Sequence, residues 1–429
     1  MYSIAGPGET PEAALEAGMR VGASRREVTV GMSSAAGCLA VKEAFSAGLM
    51  AAGCRVRDAG ANALPAVAAA GTGSDLVAYV RGEAAIEISL MAPDGSAARD
   101  AGAQRGGRGL PGYRGVGSAR RLRSVSESYA ERAARALPSG GAGSLVILDC
   151  GRGGASECAP RLLALAGAEA STIDAHGPCP GAGGDPPEAR LSAVSALAGG
   201  DSGSIGIAID DEGSRLALVD EGGSAVDPEC MVALALLYLR PSRAVVPIDA
   251  SAVVDDAFHG IIGEGVRTSA RFGADRRLIR SDGTLAGTVG AMAEGEADFG
   301  ALRDGTMVFP SMSLCPDAVF GAAVLAKMSA ENSLRNLLGT FPRYSVLSES
   351  VRLQGGREPF SRRLSERLAS IEGADVRHAG GWRANMDGGW FSVSIAEDGS
   401  AARISAESRD RVYAAGMMDV AREAVLDCV

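Results

Sequence analysis

The sequence predicts an α/β protein of three similar strand–helix segments followed by a smaller C-terminal α+β segment. Three observations carry this. Short apolar runs such as VTVG, SLVILDCG and RAVVPID alternate with amphipathic stretches of helix length, the order that lays helices over parallel strands. The alternation restarts after the linker PSGGAG at 138–143 and again at RAVVPID. Beyond Arg343 strands outnumber helices, as in a small α+β unit. These breaks set expected domains at 1–137, 138–242, 243–343 and 344–429.

In chain order, residues 10–22 read as a helix, with Thr10 as cap, Pro11 in the first turn and Glu12 at the positive end. A strand follows at 28–31, then a helix over 38–52 that stops at Gly53, and the strand CRVRDAG. Residues 74–90 read as strand, loop and strand, with Arg81, Gly82 and Glu83 at the loop. The Gly-, Arg- and Ala-rich stretch 95–117 reads as a surface segment before a helix at 126–137. The second segment carries SLVILDCG, a helix at 157–166, a strand near 170–173, a Pro/Gly-rich loop at 177–187 and a helix at 228–239. The third runs from RAVVPID through helices at 251–262 and 284–294, the strand and loop FGALRDGTMVFP, and a helix at 316–328. The last has strands at 344–352, 389–395 and 402–407 and helices at 359–371 and 410–426.

Composition excludes several classes. Of 429 residues, 46% are hydrophobic and 22% charged, which is globular rather than disordered, and with 4% aromatics the cores must be Ala, Val and Leu. A net charge of −10 argues against nucleic acid as a partner. The start, MYSIAGPGET, has neither a basic nor an apolar region, and no run approaches the roughly 20 apolar residues of a membrane span, so a cytoplasmic protein is expected. Eight cysteines without a CxxC pair read as buried, reduced thiols.

The richest stretch is IGIAIDDEGSRLALVD at 205–220, a strand, an acidic turn and a strand. Asp210, Asp211 and Glu212 stand beside Gly213, and Arg215 closes the turn. Such carboxylates can ligate a hard divalent cation. The commoner use of such a turn is a hairpin tip facing solvent. His176, His259 and His378 are scattered without matching partners, which points to surface or packing roles.

The words VTVGMSS, FSAGLMAAGCRVRDAGANALP, LVILDCGRGGAS, IGIAIDDEGSRLALVDEGG, AVVPIDAS and GGWFSVS, with the frame from Phe299 to Pro310, resemble in order and spacing the α-D-phosphohexomutases, the superfamily of phosphomannomutase, phosphoglucomutase and phosphoglucosamine mutase. The resemblance covers nearly the whole chain. It implies four domains with mixed sheets around a central cleft, and phosphoryl transfer within a hexose or hexosamine phosphate by way of a phosphoserine and magnesium. Each of the four loops that do this departs from its pattern here. Where TASHNP is expected the chain reads VRGEAA, which puts Glu83 at the phosphoserine position, and Ser89 lies too far along, inside a strand. Where DGDxDR is expected, Asp210, Glu212 and Ser214 take the metal positions and Arg215 matches the arginine. The sugar loop GEExSG is replaced by Ala301, Leu302, Arg303, Asp304 and Gly305, leaving Arg303 and Asp304 as its polar groups. The phosphate loop RPSGTEP is replaced by Ser394, Ile395, Ala396, Glu397, Asp398 and Gly399, whose acids repel a phosphate; Arg403 lies beyond it.

Three readings stay open. One is a catalytically silent relative acting as a binding or regulatory protein, paired with an active mutase paralogue or another enzyme. Another is an active mutase with a rearranged site, and the third is a binding module for an uncharged or cationic small molecule. Glu83, Asp210, Glu212 and Ser214 would give at most weak divalent binding, with calcium at least equal to magnesium, or none if Glu83 is held away.

Overall fold

Glu27–Met32 is buried along its centre, as a strand covered on both faces must be, and it lies in the middle of a six-stranded sheet. The computed structural model describes residues 2–3, 10–82, 85–98, 111–140, 144–175, 186–200, 203–262, 266–267, 276–353, 357–396 and 399–429. These fall into two units, Met1–Met231 with Gly305–Asn336, and Val232–Asp304 with Leu337–Val429.

In the first unit the six strands are ordered Tyr2–Ser3, Ile86–Met91, Leu76–Gly82, Glu27–Met32, Arg55–Ala61 and Ala119–Arg121. The last four run parallel, while Ile86–Met91 returns antiparallel from Leu76–Gly82, so the sheet is mixed. Arg81 and Gly82 belong to the strand rather than to the loop after it. Helix Pro11–Gly22 begins as expected, with Thr10 Oγ1 accepting from Ala13 N at 3.3 Å. It meets helix Cys38–Ala51 backbone to backbone: a Cβ on Gly18 would lie 2.1 Å from the Phe45 carbonyl oxygen, and one on Gly48 2.1 Å from that of Leu15. Val28, Val30, Phe45, Leu49, Ile88 and Leu90 share the core that results.

A second sheet in this unit is ordered Leu216–Val219, Ile205–Ile209, Leu145–Asp149 and Glu169–Ile173. Leu145–Asp149 pairs parallel with both neighbours, and the expected hairpin closes antiparallel with Leu216 opposite Ile209. Helices Ala155–Leu165 and Ala318–Glu331 also belong to this unit.

In the second unit, Arg277–Ser281, Arg243–Pro247 and Phe299–Ala301 form parallel pairs, and Thr284 caps helix Leu285–Gly295. The expected helix at 251–262 ends early, at Phe258. Gly260 takes the left-handed φ of 70° that stops a helix, and Ile261–Ile262 then pairs antiparallel with Val266–Arg267. The C-terminal part is a five-stranded antiparallel sheet, ordered Ser345–Arg352, Ala401–Ser408, Gly389–Ile395, Trp382–Met386 and Asp375–His378. Phe360, Leu364 and Leu368 of helix Arg357–Ala369 and Met417, Ala421 and Val425 of helix Arg411–Leu426 pack with Phe391, Val393 and Ile404 of this sheet, which is the expected α+β arrangement.

Six of the seven described cysteines are buried, Cys230 is half-buried, and Cys179 lies outside the described residues. No described helix is long and apolar enough to cross a membrane. The contact between the first two helices leaves no room for a side chain at Gly48. Gly48→Ala should therefore lower the unfolding free energy by about 1–3 kcal/mol, the usual cost of overpacking, as a fall in the denaturant midpoint; an unchanged midpoint would contradict this contact.

Candidate functional site

The acidic turn is not a solvent-facing tip. Asp210, Asp211 and Glu212 are only 8, 7 and 3% exposed. The reason lies in residues far away in sequence. Three consecutive carbonyls of the turn each accept a backbone N–H from the start of a different helix: Asp211 O from Gly154 at 2.9 Å, Glu212 O from Leu64 at 2.7 Å and Gly213 O from Ala318 at 3.0 Å. These residues cap or open helices Ala155–Leu165, Leu64–Ala70 and Ala318–Glu331. First-turn N–H groups lack partners within their own helices, and helix N-termini carry partial positive charge, so buried carboxylates are tolerated here. Close approach depends on glycine at two places. A Cβ on Gly153 would lie 2.2 Å from Asp211 Cα, and one on Gly154 2.3 Å from Ala63 N.

Within the turn, Asp210 is satisfied locally. Its Oδ1 accepts from Ser214 N at 2.7 Å and its Oδ2 from Ser214 Oγ at 2.6 Å, while Arg215 Nε stands 3.9 Å from Oδ2. Burial raises the Asp210 carboxyl above its ordinary range, and the Ser214 hydrogen bonds oppose that rise. The structure thus brings Asp210, Ser214 and Arg215 into direct contact, with Glu212 two residues from Asp210 in the same turn.

Other side chains of the first unit lie about this turn; sequence reading placed Arg81 in a loop without linking it to the turn and did not single out the rest. Arg81 reaches Glu212 Oε2 at 3.9 Å and its cross-strand neighbour Glu87 at 3.0 Å. Tyr79, fully buried, donates to Asn62 O at 3.1 Å, and Asn62 Oδ1 accepts from Ser126 Oγ at 2.5 Å. Burial, and then the charges of Glu212, Asp211 and Asp210, push the Tyr79 hydroxyl well above its ordinary pKa. Asp317 caps helix Ala318–Glu331 through Phe320 N at 2.8 Å and accepts the Tyr129 hydroxyl at 2.6 and 2.8 Å. An Asp directly before an apolar helix is a readable cap signal, whereas its pairing with Tyr129 is purely tertiary.

Of the remaining candidates, Arg303 and Asp304 lie in the second unit, where Arg303 pairs with Asp249 at 3.1 Å. Glu83, Glu397, Asp398 and His176 lie outside the described residues. Ser89 is 0% exposed, opposite Tyr79 in the sheet, an interior position closed to a substrate. Arg403 is exposed on strand Ala401–Ser408. His259 follows helix Ala252–Phe258 and packs against Phe258, and His378 packs against Trp382.

The second unit holds a buried polar network of its own. Arg383, 3% exposed, donates to Ala250 O at 2.7 Å, pairs with Asp255 at 3.0 Å and stacks over Trp390 at 4.1 Å; Glu407 accepts from Ser251 Oγ at 2.6 Å and Ala252 N at 3.0 Å. Burial lowers the Arg383 pKa to about 10 against the opposing pull of Asp255. These bonds join helix Ala252–Phe258 to the C-terminal sheet.

No family model matches the chain. Two curated relatives match it over nearly their whole length. It is 26% identical over 421 residues to a probable phosphoglucosamine mutase of Methanosarcina barkeri, covering 94% of this chain and 92% of that protein. It is 26% identical over 442 residues to a probable phosphoglucosamine mutase of Methanopyrus kandleri, covering 98% and 95%. A solved phosphoglucomutase/phosphomannomutase family protein from Burkholderia thailandensis superposes with a TM-score of 0.76 over 100% of this chain and 96% of that one, at 18% identity. Over nearly its whole length the chain is similar in sequence to probable phosphoglucosamine mutases and shares the fold of a phosphoglucomutase/phosphomannomutase family protein.

For a phosphohexomutase relative, the next matter is whether the turn fits the superfamily's magnesium. The donor set fits poorly. Both Asp210 oxygens already accept from Ser214, Ser214 is a neutral hydroxyl, and guanidinium groups stand 3.9 Å from Asp210 and Glu212. Among the described residues no three His, Cys, Asp or Glu side chains converge as a metal ion requires. Magnesium demands near-octahedral oxygen ligands at about 2.0–2.1 Å, and the Ser214 bonds leave each Asp210 oxygen only its remaining lone pair to offer.

The cap that fixes the third helix is pH-sensitive. Burial raises the Asp317 carboxyl from 3.8 to about 6, so the folded state holds its proton more tightly than the unfolded chain. Its contribution to stability is complete below the unfolded value and is lost as pH rises through about 6. Asp317→Asn keeps an acceptor for Phe320 N and Tyr129 Oη but cannot ionise. The variant's stability relative to wild type should therefore increase from about pH 4 to about pH 7 in paired thermal melts. A difference that stays flat with pH would contradict the buried titration.

Proposed function

We propose that this chain is a catalytically silent phosphohexomutase-family protein acting as a binding or regulatory partner, with an active mutase paralogue as the expected partner. The observation that supports this reading most is the closure of Asp210 by Ser214, which turns the retained acid of the metal loop inward as a structural group. The sequence adds that VRGEAA offers no serine at the transfer position and that Glu397 and Asp398 place acids where a phosphate clamp is expected. A carboxylate at Glu83 cannot replace the serine without forming a far less stable acyl phosphate. Each lost hydrogen bond to a charged phosphate costs about 1.5–3 kcal/mol of binding.

A second reading, an intramolecular phosphotransferase working through rearranged residues, is favoured by the near full-length similarity to probable phosphoglucosamine mutases. One assay separates the two. Purified protein supplied with magnesium, a hexose bisphosphate and the 1-phosphates of glucose, mannose or glucosamine should give no 6-phosphate. Turnover that survives Glu83→Ala but is lost on Asp210→Ala would establish the second reading.

A further inference from the structure

We propose that Arg81 is the built-in counter-cation of the buried acidic turn, occupying the electrostatic role that a bound metal ion would otherwise fill, so that the turn is stable without any divalent cation. Asp210, Asp211 and Glu212 are each more than nine-tenths buried, and clustered carboxylates out of water require positive charge nearby. Helix N-termini supply part of it through the Gly154, Leu64 and Ala318 amides. Among the described residues, two guanidiniums add full positive charge. Arg215 stands 3.9 Å from Asp210 with its side chain 34% exposed and Arg81 stands 3.9 Å from Glu212 with its side chain 29% exposed, so water weakens both to a similar degree.

Arg81 is held more firmly. It sits in strand Leu76–Gly82 directly across from Glu87, whose carboxylate at 3.0 Å fixes the guanidinium, and its other nitrogen faces Glu212 Oε2 at 3.9 Å, where the Glu212 side chain is only 4% exposed. A divalent ion entering the turn would meet the Arg81 charge and would have to share the Asp210 oxygens with both Ser214 donors. The inference goes beyond the functional proposal, because a fixed counter-cation holds the turn whether or not the chain turns over a sugar phosphate.

The test is a set of thermal melts of the full chain in EDTA, in magnesium and in calcium, for the wild type, Arg81→Met, Arg81→Lys and Arg81→Met combined with Glu212→Gln. The wild type should melt at one temperature in all three solutions. Arg81→Met should melt several degrees lower, Arg81→Lys should recover part of the loss, and Glu212→Gln should restore stability to Arg81→Met although it destabilises the wild type, the coupling expected of a charge pair. If Arg81→Met does not fold, the wild-type melts and Arg81→Lys decide. A wild type stabilised by magnesium or weakened by EDTA, or additive effects of the two substitutions, would overturn the proposal.

Discussion

Three peptide N–H groups, each from the start of a different helix, hold three successive carbonyls of one hairpin turn, and the first unit is arranged around that contact. Leu64 follows the first sheet's strand Arg55–Ala61, Gly154 follows the second sheet's strand Leu145–Asp149, and Ala318 opens a helix from much later in the chain. Each amide is one that its helix cannot satisfy internally, and each carbonyl belongs to a turn with no strand partner to offer. Buried in isolation, either set would cost about 1–3 kcal/mol per group. Paired, they let an acidic turn become interior. The remaining details follow from that burial: glycine at 153 and 154 where backbones nearly touch, Ser214 folded onto Asp210, and arginines at 81 and 215.

The scaffold is kept along the whole chain, as the superposition on the Burkholderia thailandensis protein shows. The chemistry of the loops is a separate matter, since a fold carries no activity by itself. In the second unit, Arg383, Asp255 and Glu407 use buried charge to tie strands and helices together, and Arg303 is engaged with Asp249.

Much of the fold was legible where the sequence carries local signals. The hairpin at 205–219 shows its alternation, and the helices begun by Thr10, Thr284 and Asp410 declare their caps. Leu64–Ala70 was silent because LPAVAAA is apolar or small at every position and largely buried, so it has no polar face to set a period. Strand Trp382–Met386 was missed because Arg383, a charged residue, occupies one of its buried positions. The residues of the acidic turn were found, but their environment was not. Composition argues that three acids beside a glycine face water, and what overrules it is contact with residues 64, 81, 154 and 318, whose proximity no local pattern records.

The central claim is that these three helix starts and the turn form one cooperative unit. Residue-resolved native-state hydrogen exchange of the Leu64, Gly154 and Ala318 amides tests it most directly, because each amide exchanges only when its bond to the turn opens. The three should share one opening free energy close to that of global unfolding, and Gly153→Ala should lower all three together. Exchange of any one of them by an independent, low-energy opening, with the other two still protected, would contradict the account.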